Sequence, residues 1–167
     1  MADMVLEDDV FVPRGKVEVK YKGPDPFSFY KKLNSSYFQK RLEIGGTDFW
    51  ERDFRWDITT DPRKFYVRIF LHKGFDKNTE VIYEITFQGE QPTDPKKDGK
   101  LTITFSGKLK SSFPMKTSFQ QTFFYKAILW LYNRLFYFRV RRKYLELAQR
   151  KMYEIINEVR EWAGAMR

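Results

Sequence analysis

The chain reads as an α+β protein: an antiparallel β-sheet with two short helices after its first strand and a long C-terminal helix packed on the sheet. Two observations predict the sheet. Five stretches alternate apolar and polar side chains with a period of two, the mark of half-buried strands. Short turns rich in Gly, Pro and Asp separate most of them, and neighbouring strands joined in this way run antiparallel with one face solvated. The third observation predicts the helix, since Phe119 to Ala163 contains neither Gly nor Pro.

The first strand spans Arg14–Lys22, with Val17, Val19 and Tyr21 on one side and Lys16, Glu18, Lys20 and Lys22 on the other. Gly23–Pro24 ends it. Asp25 before Pro26 reads as an N-cap with Pro at the first helical position, and FSFYKKL and SYFQKRL read as two short helices divided near Asn34–Ser36. Gly45–Gly46 turns the chain into a strand over Thr47–Thr59, where Trp50, Phe54, Trp56 and Ile58 fall on one face with Arg52 among them. Phe65–Lys73 and Glu80–Gln88 are the next strands. Leu101, Ile103 and Phe105 carry the last, which extends toward Leu109.

The segment from Ser118 opens with Ser118 and Gln121, spaced as a capping box, and closes near Gly164. One unbroken helix over it would measure about 65–70 Å at 1.5 Å per residue. That is about twice the width of a small domain, so the helix must kink, protrude or lie on another chain. Its halves differ. Phe123–Phe138 (FFYKAILWLYNRLFYF) is apolar nearly all round and is expected in a core. From Arg139 on, apolar residues recur every three or four positions, and Arg139, Arg142, Lys143 and Arg150, flanked by Arg141 and Lys151, form a basic outer face. The excess length predicts a homodimer through this helix.

The chain is expected to be a single domain over 1–167: an acidic N-terminal arm over 1–13, the sheet with its two short helices over 14–117, and the helical segment over 118–164. Hydrophobic residues at 42% and charged ones at 32% exclude general disorder. The formal charge of +9 favours a polyanionic partner. No cysteine is present, which removes disulfide, thiolate and sulfur-ligated metal chemistry. The N-terminus lacks the regions of a signal peptide, and a cytoplasmic protein is expected. The longest strictly apolar run, Ala127–Tyr132, is too short for a transmembrane segment.

Signs of catalysis are sparse. His72 is the one histidine and ends a strand. Gly45–Gly46 lacks the Lys and Ser/Thr of a phosphate loop. Glu51, Asp53 and Asp57 alternate opposite the tryptophans, as a solvated face would. Neither catalytic residues, nor a metal site, nor a cofactor is expected.

The element order carried by VEVKY, DPFSFYKKL, DFWERDFRWDI, FYVRIFL, EVIYEITF, LTITF and the helix from Phe119 resembles the START-like, or helix-grip, superfamily. The resemblance implies a curved sheet gripping the last helix. It also implies two kinds of relative: carriers of apolar ligands, and bacterial proteins that bind a ribosomal subunit.

Two functions follow. In the first, the protein is a non-enzymatic factor docking on structured RNA, such as a ribosomal subunit, through Arg139, Arg141, Arg142, Lys143, Arg150 and Lys151, with Lys108 and Lys110 added from predicted turns. In the second, a hydrophobic small molecule, a lipid or isoprenoid, lies between sheet and helix against Trp50, Phe54, Trp56 and Trp130, its acid group met by Arg52 and Arg68. Plain core packing of the tryptophans is the competing reading.

Overall fold

A computed structural model describes residues 4–94, 96–115 and 117–165. Six strands form one antiparallel sheet: β1 (Met4–Asp9), β2 (Lys16–Gly23), β3 (Phe49–Asp57), β4 (Arg63–Gly74), β5 (Thr79–Gln91) and β6 (Gly99–Phe113). Two short helices, α1 (Ser28–Lys32) and α2 (Ser35–Leu42), follow β2. The chain then forms α3 (Phe123–Tyr132), a π-helical turn (Asn133–Tyr137) and α4 (Phe138–Ala165), a continuous 43-residue rod. The α+β fold, with a long C-terminal helix packed on an antiparallel sheet, is thus observed, and the arrangement is compatible with a helix grip.

The sheet order is β1-β6-β5-β4-β3, and β2 pairs with the other half of the long strand β6. β1 faces Lys108–Phe113 and β2 faces Gly99–Ser106, so the two strands share one edge of β6 in succession. The expected acidic arm is therefore a strand from Met4 to Asp9, while its residues 1–3 lie outside the described residues. Leu6 alternates with exposed Val5 and Glu7 along β1, and this short period was hidden among the charges of the arm.

Successive residues on a strand point to opposite faces. Val67, Ile69, Ile85, Phe87, Ile103 and Phe105 face the helices and are fully or almost fully buried. Ala148, Met152, Ile155, Ile156, Val159 and Ala163 of α4 meet them with one apolar stripe, joined by Phe29, Leu33, Phe38 and Leu42 from α1 and α2. Tyr83 donates its hydroxyl to the Ala148 carbonyl at 3.0 Å. Gly107 leaves the room that Tyr83 needs, since a Cβ there would lie 2.8 Å from the tyrosine ring.

Several expectations are corrected. Asp25 does not cap α1 but takes a left-handed backbone (φ 42°), and Asn34 caps α2 by accepting from the Tyr37 N–H at 3.0 Å. The Ser118–Gln121 box is not formed. Thr117 and Gln120 make the reciprocal contacts one residue earlier, and α3 starts only at Phe123, where the Thr122 hydroxyl accepts from Tyr125. The aromatic half of the rod is not in the core: no α3 side chain is buried, and Phe123 is 87% exposed. The physical reason is competition, because α4, α1 and α2 already cover the apolar face of the sheet and α3 extends past it.

Candidate docking surface and cavity

The exposed side of the rod is apolar and cationic together. Phe123, Phe124, Ile128, Trp130, Leu131, Tyr132, Leu135, Phe136 and Phe138 are all exposed, from α3 through the π turn. Arg139, Lys143 and Arg150 stand outward on α4 and make no ion pair among the described residues. Arg142 is also exposed, 3.3 Å from Glu146. Lys126 and Arg134 sit within the apolar stretch, and the Arg134 guanidinium lies over the Trp130 ring at 5.1 Å.

The remaining residues of the expected basic face point elsewhere. Arg141 turns inward, 11% exposed, with Nη2 2.9 Å from Asp8 of β1. Lys151 is half-buried, 3.7 Å from Glu43. Lys108 and Lys110 are on β6 rather than on turns. They point away from α4, because the period of two that sends Leu109 into the core sends its neighbours to the other face. Lys108 there meets Glu7 at 3.5 Å.

The expected ligand cluster is also dispersed. A β-bulge between Glu51 and Asp53 adds one residue to β3 and reverses its alternation. Trp50 thereby lies on the polar face, stacked on His72 at 6.2 Å, while Phe54 and Trp56 lie toward Phe27, the residue before α1. Arg52 and Arg68 both cover Phe70 on the polar face, and Arg68 pairs with Glu84 at 2.7 Å. Trp130 stands beside β1, at the opposite edge of the sheet from β3. These side chains do not enclose a common cavity. His72 is held by Glu80 at 2.7 Å. Glu51 accepts from the Tyr30 hydroxyl, and Asp57 from Thr59.

A different cavity, of about 500 Å³, opens between β1 and the π turn. Met4, Leu6, Trp130 and Phe138 give it apolar walls, and Asn133, Arg134, Tyr137 and Arg141 give it polar ones. Asn133, Tyr137 and Arg141 are each four residues apart. On an α-helix such a series drifts by about 40° per step, and the wider π turn offsets part of that drift, keeping all three on the β1 side. Asn133 is 6% exposed; its Nδ2 donates to the Leu129 carbonyl at 2.8 Å, while its Oδ1 has no partner among the described residues. The same is true of Arg141 Nε. Asp8 approaches Arg141 Nη2 too far off the N–H direction for a hydrogen bond.

Tyr137 anchors the π turn to the β4–β5 hairpin. Its hydroxyl reaches Asp76 Oδ2 at 2.7 Å and Thr79 Oγ1 at 2.5 Å, and Thr79 in turn meets Ser111 at 2.9 Å. Burial, opposed by the Thr79 hydrogen bond and reinforced by the Asp76 carboxylate, pushes the Tyr137 hydroxyl up to about 12. Desolvation works to raise Asp76. Hydrogen bonds from Tyr137 and from the Asn78 and Thr79 N–H groups outweigh it and hold the carboxyl below its usual value.

One signal in the residue order was passed over. Between Gly99 and Leu145 there are six Lys and four Arg and no Asp or Glu. The orphaned Asn133 had a fainter trace, as an amide interrupting an apolar run.

No family model matches the chain, and no curated protein matches it. Among solved structures, a Staphylococcus aureus protein of unknown function aligns over 98% of this chain and 96% of its own at 7% identity. The TM-score of 0.32 makes that a loose likeness. Among the described residues, no helix is long and apolar enough to cross a membrane.

Proposed function

We propose that the protein is a non-enzymatic docking module that seats the α3 end of its rod on an anionic phospholipid surface, on the cytoplasmic side. One observation carries the reading: the exposed apolar stretch lies wholly inside the acid-free segment 99–145. Aromatic and aliphatic side chains gain by entering the boundary between headgroups and acyl chains. Each Lys or Arg held near an anionic leaflet adds about 1 kcal/mol. A continuous apolar patch of this kind marks a contact with a protein or a membrane. The charge favours the membrane, because a two-fold pairing centred on the patch would set Lys126 of one copy near Arg134 of the other with no acid to separate them. The homodimer therefore has less support.

RNA docking is the second reading, supported by the outward stripe of Arg139, Lys143 and Arg150. Ile128, Leu131 and Leu135 favour lipid over RNA, since aliphatic groups gain little on phosphate and ribose. The element order supports a START-like ancestry as part of either reading.

Flotation with phosphatidylcholine vesicles, with and without phosphatidylglycerol, tests the proposal. Binding is expected to be much stronger with the anionic lipid, with a fraction retained at high salt through the apolar contacts and lost in Leu131→Gln with Leu135→Gln. Failure to float, together with salt-sensitive pelleting on ribosomal subunits that Arg139→Glu with Lys143→Glu abolishes, would replace it by RNA docking.

A further inference from the structure

β3 forms one edge of the sheet, with no strand beyond it among the described residues. Its outer side can be read residue by residue. The Phe75 N–H donates to the Thr79 carbonyl at 2.8 Å, which makes these two a hydrogen-bonded pair between β4 and β5. Such pairs alternate along an antiparallel ladder, so Tyr66 and Arg68 turn their backbone groups toward β3 instead of β5. Arg55 and Asp53 face them, and Phe54 and Trp56 therefore direct their N–H and C=O groups outward. The bulge at Glu51–Asp53 breaks the edge there, and Phe38 and Tyr30 pack on its first half at Phe49 and Glu51. Bulges and covering elements are how proteins keep an edge from pairing. The second half has neither. Phe54 is 48% exposed, and Ile58, just past the strand, is 70% exposed.

We propose that residues 54–58 pair antiparallel with the same residues of a second copy of this chain, about a two-fold axis at Trp56. Charge selects the register. With that centre, Trp56 faces Trp56 of the second copy, Phe54 faces its Ile58, and Arg55 faces its Asp57. Opposite charges directly across two strands stabilise the pair, and like charges oppose it. A centre at Arg55 would set two arginines against each other, and a centre at Asp57 two aspartates. A centre at Phe54 runs into the bulge. The Trp56 centre alone joins outward backbone groups, apolar contacts and matched charges. The pairing is short, and a reversible dimer is its expected form. β1 lies at the opposite end of the sheet order, and Trp130 of the rod stands beside it. Pairing at β3 thus leaves the α3 stretch of both copies uncovered, and the inference does not depend on membrane docking. Where both hold, two rods on one particle add their contacts on the same vesicle.

Sedimentation velocity of the full chain without lipid, from micromolar to near-millimolar concentration, should show a reversible monomer–dimer equilibrium. Arg55→Asp alone and Asp57→Arg alone should each weaken it about tenfold, because like charges then meet twice across the axis. Mixing the two variants should restore it, since an acidic edge then meets a basic one. The chain has no cysteine, so a disulfide also reports the register. Phe54→Cys mixed with Ile58→Cys should cross-link between copies, whereas Ile58→Cys alone should not, its two sulfurs being too far apart. The cross-link keeps the test decisive if a charge variant fails to fold. A monomer at every concentration, a dimer indifferent to both charge variants, or a dimer lost in Phe124→Gln with Leu131→Gln on the rod would overturn the pairing.

Discussion

The Tyr137 hydroxyl donates to Asp76 at 2.7 Å, tying the π turn of the long helix to the hairpin between β4 and β5. Thr79 completes the connection from the hairpin side at 2.5 Å, so one phenol holds two elements that are 61 residues apart in sequence. Tyr137→Phe keeps the ring against Phe113 and deletes only the hydroxyl. The expected loss is about 1 kcal/mol, near the net worth of one hydrogen bond. Urea unfolding should show a lower midpoint at an unchanged slope.

Acid should weaken the same connection. Asp76 is held below the usual carboxylate value in the folded chain. A depressed carboxyl contributes stability that is present above its unfolded pKa and lost as pH falls through the folded value. Wild-type stability should therefore fall more steeply than that of Asp76→Asn below about pH 4, with the two curves converging in acid. Thermal melts from pH 6 down to pH 2 would show this, and parallel curves would rule it out.

Met152 is fully buried in the stripe that α4 lays on the sheet. Met152→Ala should cost roughly 2–5 kcal/mol through lost burial and a residual cavity. Thermal unfolding by circular dichroism is the check.

Phe124→Gln with Leu131→Gln should behave in the opposite way. Both side chains are half or more exposed, so stability should change by no more than about 0.5 kcal/mol. Vesicle binding should nonetheless fall. A large drop in unfolding midpoint would mean that these residues are covered within the folded chain.

Gly89→Ala tests close packing in the sheet. A Cβ at this position would stand 2.5 Å from the Lys100 carbonyl oxygen and 2.7 Å from the Phe65 ring. Backbone cannot yield as a side-chain tip can, and the expected cost is roughly 1–3 kcal/mol.

The strands at β2, β4, β5 and β6 were legible because alternation reports a half-buried surface directly. Val67, Ile69 and Phe105 stand where their period places them. The first strand escaped notice because Glu7, Asp8 and Asp9 masked Met4 and Leu6. The Trp50 face was misread because a bulge is a pairing event, decided by β4 as much as by β3. The aromatic helix was misplaced for a broader reason: an all-round apolar pattern states that burial is favourable but does not name the covering partner. The orientations of Arg141 and Asn133 depend on how the π turn phases the helix against β1, and no spacing within the rod alone encodes that.

The rod is clamped from the π turn onward, and among the described residues α3 makes no hydrogen bond to the sheet. Gln149 donates to the Val10 carbonyl at 2.8 Å, Tyr83 holds Ala148, and Tyr37 donates to Glu158 at 2.7 Å. Mechanically, α3 is a cantilever whose root is the Tyr137–Asp76 connection, projecting some 20 Å at 1.5 Å per residue. Whatever grips its tip sets the attitude of the whole body, as a mast fixes the bearing of what is mounted on it. The polar face of the sheet, with Arg68 and Glu84 at its centre, would then be carried at a defined height and heading, addressed by orientation rather than by any contact of its own.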